Sequence, residues 1–174
     1  IHECIFMPVI EVINMRRTKE EAEKTRQNLM RVALSVFNKK GYANTRLEDI
    51  AFAADVTRGA IYHHFGSKAE LFKAIALQNK HNMNLIIEKR IEKYKNKPSE
   101  ALHNLLTVLI EKLDNDPFFR DFEELRLKTN MVDDLEPIKK ILDDELNAGY
   151  NKLLTFLADS QTNGIIKKQI NKDA

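Results

Sequence analysis

The fold is decided by residues 56–72, which read VTRGAIYHHFGSKAELF. In this stretch Val56, Ile61 and Phe65 are expected on the inner side of a short helix, with Ile61 and Phe65 one helical turn apart. Gly66 ends the pattern, because glycine readily adopts the left-handed conformation found after the last residue of a helix. The stretch therefore predicts a helix over residues 58–65, followed at once by the start of another.

Helix starts are marked by hydroxyl residues that are followed three residues later by glutamate. In this capping box the hydroxyl accepts a hydrogen bond from a first-turn N–H group, and the glutamate reaches back to the cap. The three pairs are Thr18 with Glu21, Thr45 with Glu48, and Ser67 with Glu70. Together with the apolar spacing they predict helices over about residues 19–40, 47–54 and 67–95.

The rest of the chain predicts longer helices and no strand. Ser99 is expected to cap a fifth helix, in which six leucines and isoleucines between residues 102 and 113 repeat at helical spacing. Asp116 before Pro117 is typical of an N-cap with proline in the first turn. A seventh helix is expected to start at Pro137. We therefore expect an all-α protein.

Composition excludes several classes of protein. The 174 residues are 43% hydrophobic and 31% charged, and they contain no run of apolar residues long enough to span a membrane. We expect a globular protein with no membrane partner. Its one cysteine, Cys4, cannot form an internal disulfide, which fits a reducing, cytoplasmic setting.

Charge is unevenly distributed along the chain. The net charge is +2, but residues 15–78 contain twelve Lys and Arg against seven Asp and Glu. A basic block of this kind is a weak electrostatic sign of nucleic-acid binding. A solvated basic face is the other interpretation, and charge alone does not decide between the two.

Two short helices joined by a tight turn have the geometry of a helix-turn-helix. The expected outward residues of the third helix are Thr57, Arg58, Gly59, Tyr62 and His63. Arginine supplies a planar fork for guanine or phosphate, and hydroxyl groups reach phosphate oxygens. The bare backbone at Gly59 lets a sugar-phosphate strand approach, and Lys68 stands at a helix N-terminus, where N–H groups attract anions. This face predicts double-stranded DNA as the partner.

Residues 25–72 resemble the TetR/AcrR family of bacterial repressors. The resemblance is carried by VTRGAIYHHF at residues 56–65 and the GSKAELF that follows, while residues 15–26 look like the start of the AcrR-type branch. It implies contacts to the DNA backbone from Thr45, Thr57, Tyr62, His64 and Lys68. The places nearest the base edges are those of Arg58, Gly59 and His63.

Two positions depart from the family pattern. His63 stands where AcrR-type proteins often have tryptophan, so operator preference cannot be transferred from the family. Asp55 replaces the usual glycine at the turn, a change that aspartate tolerates in a left-handed conformation.

The resemblance also implies a domain organisation. Residues 15–66 correspond to a three-helix DNA-binding domain, and residues 67–174 to a helical domain for ligand binding and dimerisation. Residues 1–14 are expected to be an extension outside the fold. The two long helices that end the family fold would follow Asn171, and we expect them to be missing here. The implied assembly is a homodimer on a palindromic operator.

A pocket for a small hydrophobic effector is implied between the fifth, sixth and seventh helices. Its expected lining is Leu105, Leu106, Leu109, Phe118, Phe122, Thr129, Asn130, Leu142 and Tyr150. Thr129, Asn130 and Tyr150 would be its polar groups. Without the resemblance, the phenylalanine cluster is more simply interpreted as ordinary core.

The sequence has no catalytic constellation: it lacks a glycine-rich phosphate loop, a nucleophile elbow and spaced metal ligands. His63 and His64 are adjacent, so their side chains diverge on a helix and make a poor metal pair. We expect no enzymatic activity, no cofactor and no metal. Two hypotheses remain. One is a ligand-responsive repressor, with control of an efflux system as the implied role. The other is an all-helical interaction protein that keeps a helix-turn-helix without sequence-specific DNA binding.

Overall fold

The computed structural model describes residues 9–129 and 136–166, with side chains described over residues 18–128 and 149–166. Within these ranges the chain forms seven helices and no strand, so the all-α prediction is confirmed. The helices are α1 (Val9–Lys40), α2 (Leu47–Ala53), α3 (Arg58–Phe65), α4 (Lys68–Lys93), α5 (Pro98–Asn115), α6 (Pro117–Thr129) and α7 (Glu136–Thr162). Within the same ranges, no helix is apolar over a length that could cross a bilayer.

The start of α1 differs from the prediction. The helix begins at Val9, so Thr18 lies inside it and does not cap it. Residues 9–17 contain no glycine or proline to interrupt a helix. Part of the expected N-terminal extension, residues 9–14, is thus continuous with α1.

The caps of the next helices are partly as predicted. Ser67 caps α4, since its hydroxyl accepts a hydrogen bond from the Glu70 N–H group at 3.1 Å. The N-cap of α2 is Arg46 and not Thr45, and the Arg46 N–H group donates to Oδ2 of Asp49 at 2.9 Å. Asp49 therefore takes the acidic place in this cap, which leaves Glu48 available for another contact.

Both α5 and α6 begin at a proline, and α7 begins at Glu136, one residue before the predicted Pro137. The N-cap of α5 is Lys97, followed by Pro98, so the prediction of Ser99 as the cap was wrong by two residues. Proline is favoured at the first helical position because its missing N–H group would have no partner there. Asp116 does cap α6, because its Oδ1 accepts from the Phe119 N–H group at 3.1 Å.

One hydrophobic core connects the first four helices with α6. Phe37 of α1 is fully buried, and its ring lies 5.3 Å from that of Tyr42 and 6.2 Å from that of Phe72. Phe122 and Leu125 of α6 belong to the same core. The core therefore crosses the expected domain boundary at residue 66.

Helices α4 and α7 pack closely together at Gly149. This glycine is buried, and a Cβ atom added there would overlap Oδ1 of Asn84 and lie 3.4 Å from Cδ1 of Ile87. The carboxylate of Glu88 pairs with the ammonium of Lys152 nearby. A side chain at position 149 would have to displace the Asn84 side chain from this contact.

Candidate nucleic-acid interface

The turn before α3 sets the orientation of that helix. Asp55 has a φ of 52°, the left-handed conformation expected at this position. The Thr57 hydroxyl oxygen then accepts a hydrogen bond from the Ala60 N–H group at 3.2 Å and caps α3. Because Ile61 and Phe65 are buried, α3 is fixed with one face towards the core and the other towards solvent.

The outer face of α3 carries the five residues that were predicted to point outward. They are exposed in the structure: Thr57, Arg58, Gly59, Tyr62 and His63. Of these, Arg58 is held by two partners. Its Nη1 lies 2.6 Å from Oε1 of Glu48, and its Nη2 donates to the Tyr62 hydroxyl at 3.1 Å. We call this set of three side chains, Glu48, Arg58 and Tyr62, the α2–α3 cluster.

The α2–α3 cluster also fixes the plane of the guanidinium. The Arg58 Cζ atom lies 5.1 Å from the centroid of the Tyr62 ring, within the range of a cation–π contact. The hydrogen bond to Tyr62, and after it the charge of Glu48, raise the pKa of Arg58 above its ordinary value. The arginine therefore stays charged and presents an oriented fork.

Glu48 is the site residue that the sequence analysis missed. The capping pattern pairs Glu48 with Thr45, whereas in the structure the acidic place in the cap is filled by Asp49, next to Arg46. Lys40 donates to Oδ1 of Asp49 at 2.6 Å, and this bond, with the one from the Arg46 backbone, lowers the pKa of the Asp49 carboxyl. Placing the N-cap of α2 at Arg46 in place of Thr45 would have assigned Asp49 to the cap and left Glu48 for another role.

Gly59 lies in open space. A Cβ atom added there would meet only Thr57 Oγ1 at 3.7 Å among the described residues, which is ordinary contact. The fold therefore does not require a glycine at this position of α3.

Thr45 and Lys68, two residues implied to contact the DNA backbone, are occupied within the fold. Thr45 is 1% exposed, and its hydroxyl donates to the Gly41 carbonyl at 2.8 Å. The Lys68 ammonium donates to the carbonyl oxygens of Tyr42 and Thr45, each at 3.0 Å, and lies 4.4 Å from the centroid of the Tyr42 ring. Lys68 thus connects the start of α4 to the loop between α1 and α2.

His64 lies to the side of the outer face of α3. It is half-buried and lines a groove together with Arg26, Glu70 and His81. In the same groove the Arg26 guanidinium lies 5.1 Å from the centroid of the Phe65 ring. The structure therefore separates His64 from the α2–α3 cluster.

Comparison with known proteins identifies this helix-turn-helix. Residues 29–75 match the model of the family described as bacterial regulatory proteins, tetR family. The HTH-type transcriptional regulator AcrR of Shigella flexneri is 41% identical over 96 residues, which cover 55% of this chain and 45% of AcrR. This part of the chain is therefore similar to the helix-turn-helix of TetR/AcrR-family regulators.

Two further curated relatives also match part of this chain. The probable acrEF/envCD operon repressor of Escherichia coli is 44% identical over 93 residues, covering 53% of this chain and 42% of that protein. The regulator TtgR of Pseudomonas putida is 56% identical over 61 residues, covering 35% and 29% respectively. The matched regions span less than half the length of these relatives.

Solved structures are similar to this chain over a longer stretch. NalD, the secondary repressor of the MexAB-OprM multidrug efflux pump in Pseudomonas aeruginosa, is 27% identical with a TM-score of 0.62, covering 77% of this chain and 66% of NalD. The SmeT–triclosan complex has a TM-score of 0.67 at 23% identity, covering 78% of this chain and 66% of SmeT. At that identity the second match shows the fold alone.

The described residues of the expected effector lining differ in their burial. Leu105 and Phe122 are buried, and Leu109 and Phe118 are half-buried. Leu106 and Tyr150 are 59% and 58% exposed, so they do not line an enclosed space. The side chains of Thr129, Asn130 and Leu142 lie outside the described residues.

A small apolar cavity lies instead between α4 and α6. Its apolar walls come from Ala76, Met83, Phe119 and Phe122, and its polar rim from Asn79, Lys80, Glu123 and Arg126. Only Phe122 was among the predicted lining residues. In the described part of the chain, no group of three or more His, Cys, Asp or Glu side chains could hold a metal ion.

Proposed function

We propose that this chain is a transcriptional repressor that binds double-stranded DNA at a specific operator. The observation that carries the proposal is the outer face of α3, where an exposed arginine is oriented by two neighbours. The TetR-family relatives support it, since one is named as an operon repressor and NalD as the repressor of an efflux pump. Control of an efflux system is accordingly part of the proposal.

The proposed contacts follow the accessibility of the predicted residues. Arg58, Gly59 and His63 lie nearest the base edges, while Thr57 and Tyr62 supply hydroxyl groups to phosphate oxygens. His64 contacts the DNA backbone only if a strand reaches the groove beside α4. Thr45 and Lys68 hold the α1–α2 loop in place and so act on DNA indirectly.

We propose that the working assembly is a homodimer. One recognition helix reads too few base pairs for useful specificity, so two copies would read half-sites separated by one or more helical turns. The operator is then a partial palindrome. In this proposal residues 15–66 form the DNA-binding domain and residues 67–174 belong to the regulatory domain.

We propose that a small hydrophobic molecule releases the repressor from DNA. The cavity between α4 and α6 is the best-supported place for it, because α4 starts directly after α3 and packs against α6 and α7. A ligand there shifts α4 only if it binds the DNA-free arrangement more tightly. Such coupling typically amounts to about 1–3 kcal/mol.

A binding selection tests the proposed function. The whole chain is incubated with a pool of random-sequence DNA duplexes, and bound duplexes are amplified and sequenced. We expect one partially palindromic sequence to be enriched, with retention that falls as salt rises. Equal retention of all sequences, or none, would favour the interaction protein that lacks sequence-specific DNA binding.

A substitution at Gly59 should affect folding stability and DNA affinity in different directions. We expect Gly59→Ala to keep or raise the free energy of unfolding, by up to about 1 kcal/mol, because alanine is the better helix former. The added methyl group should lower affinity for the selected duplex about tenfold, since it occupies the space of the approaching strand. Urea unfolding and fluorescence anisotropy measure the two effects. Equal affinity of both proteins would show that no strand passes close to Gly59.

A further inference from the structure

The ion pair between Glu48 and Arg58 puts a negative charge on the face that the proposed function turns towards DNA. Both side chains are 55% exposed. An exposed pair of this kind contributes little to folding stability, because water screens it and two flexible side chains must be ordered. A carboxylate beside phosphate groups also repels them. The pair therefore has a cost for DNA binding and little evident benefit for the fold.

The geometry of the pair leaves part of the arginine fork for a ligand. Glu48 takes Nη1 and Tyr62 takes Nη2, and in the described part of the chain the guanidinium has no further hydrogen-bond partner. Guanidinium has five N–H donors in a rigid plane. Arg58 can therefore meet a base edge with its remaining donors while Glu48 stays in place.

Phosphate and base edges affect this pair differently. A phosphate that binds Arg58 brings a second full negative charge close to the Glu48 carboxylate, so it must either displace Glu48 or bear the repulsion. The O6 and N7 atoms of guanine accept hydrogen bonds without carrying a full charge. Glu48 thus disfavours phosphate contacts of Arg58 more than base contacts.

We propose that Glu48 is a specificity-determining residue, which competes with phosphate for Arg58 and so weakens binding to non-operator DNA more than to the operator. This inference rests on the proposed function. Discrimination between two partners is a difference of affinities, and penalising the wrong partner is as effective as favouring the right one. Non-specific binding is almost entirely a matter of phosphate contacts, so it is the mode that Glu48 penalises.

The test compares two duplexes of the same length: the one selected by the unaltered chain, and a scrambled version. Glu48→Gln should raise affinity for the scrambled duplex by about fivefold, the scale of one unit-charge repulsion at about 4 Å in water. Affinity for the selected duplex should change less, so the specificity ratio falls. The logarithmic salt slope for scrambled DNA should steepen by about one for each protomer.

Two controls separate this effect from a change in net charge. Glu100→Gln removes the same charge from an exposed pair with Lys97, at 2.8 Å in α5, and should leave the specificity ratio unchanged. In an Arg58→Ala background Glu48→Gln should have no effect on the ratio, because the competition acts through Arg58.

Other outcomes would overturn the inference. Equal gains on both duplexes would mean a general charge effect. Loss of affinity for the selected duplex alone would mean that the Glu48 carboxylate itself accepts a hydrogen bond from a base, such as the cytosine amino group. If selection enriches no sequence, the proposed function fails and this inference fails with it. If selection enriches a sequence but Glu48→Gln leaves the ratio of affinities for selected and scrambled DNA unaltered, only the proposed role of Glu48 is overturned.

Discussion

Replacing Arg58 with alanine lowers the affinity for the selected operator by about 1–3 kcal/mol, which is a loss of about five- to 150-fold. The expected cause is the removal of a fork that Glu48 and Tyr62 hold in one plane. A fork that reads guanine also sets the preference at its own base pair. We therefore expect the variant to tolerate substitutions at one position of each half-site, which titrations against single-base variants of the duplex will reveal.

Arg58→Lys is the matched control for this result. Lysine keeps the positive charge but not the planar pair of donors, so it replaces arginine at a phosphate contact better than at a base contact. If Arg58 reads a base, the lysine variant should remain close to the alanine variant on the operator. Unchanged operator affinity in Arg58→Ala would remove Arg58 from the proposed contacts.

Lys68→Met should lower the free energy of unfolding by about 1–3 kcal/mol. Methionine resembles the lysine stem in length but has no ammonium, so the Thr45 carbonyl oxygen loses this donor and the Tyr42 carbonyl oxygen keeps only the Thr45 N–H group, at 3.2 Å. The loss of a donor by a carbonyl group away from bulk water costs free energy on this scale. The variant also loses the contact between the ammonium and the Tyr42 ring. Urea unfolding followed by circular dichroism measures the loss.

Lys73→Met is the control for the loss of a lysine from α4. Lys73 pairs with Glu70 at 3.1 Å across one helical turn, an exposed contact that contributes little to stability. We expect near-native unfolding for this variant. The contrary result would be that Lys68→Met unfolds like the unaltered chain while its salt slope for DNA binding falls by about one. That result would assign Lys68 to a phosphate contact.

Local sequence patterns predicted most of the helices, because apolar periodicity and helix-ending residues are signals that span only a few neighbouring residues. The α3 boundaries followed from buried Ile61 and Phe65 and from Gly66, whose φ is 77°. Caps were harder to assign, since several hydroxyl and acidic residues compete for each one. Thr18 matched the capping pattern, but no residue between Val9 and Thr18 interrupts the helix.

Contacts between distant residues could not be predicted from these patterns. Lys68 bonds to carbonyl groups up to 26 residues earlier in the chain, so its role depends on how α4 packs beside the α1–α2 loop. Glu48 and Arg58 are ten residues apart and meet only because the Asp55 turn folds α3 back beside α2. The effector lining was also a long-range prediction, and exposed Leu106 shows that an apolar helix face need not line a cavity.

The close packing of α7 against α4 at Gly149 lies far from the start of α4. Asn84, which faces Gly149, lies seventeen residues after Ser67, and at about 1.5 Å per residue this distance is about 25 Å. A tilt of α4 by about 5° about this contact would move its first turn by about 2 Å. This displacement is several times the range over which a hydrogen-bond distance can vary. Ser67 and Lys68 lie at that end of α4, so in the proposed repressor a small rearrangement at α7 would displace α3, which shares a core with the start of α4, relative to its proposed base pairs.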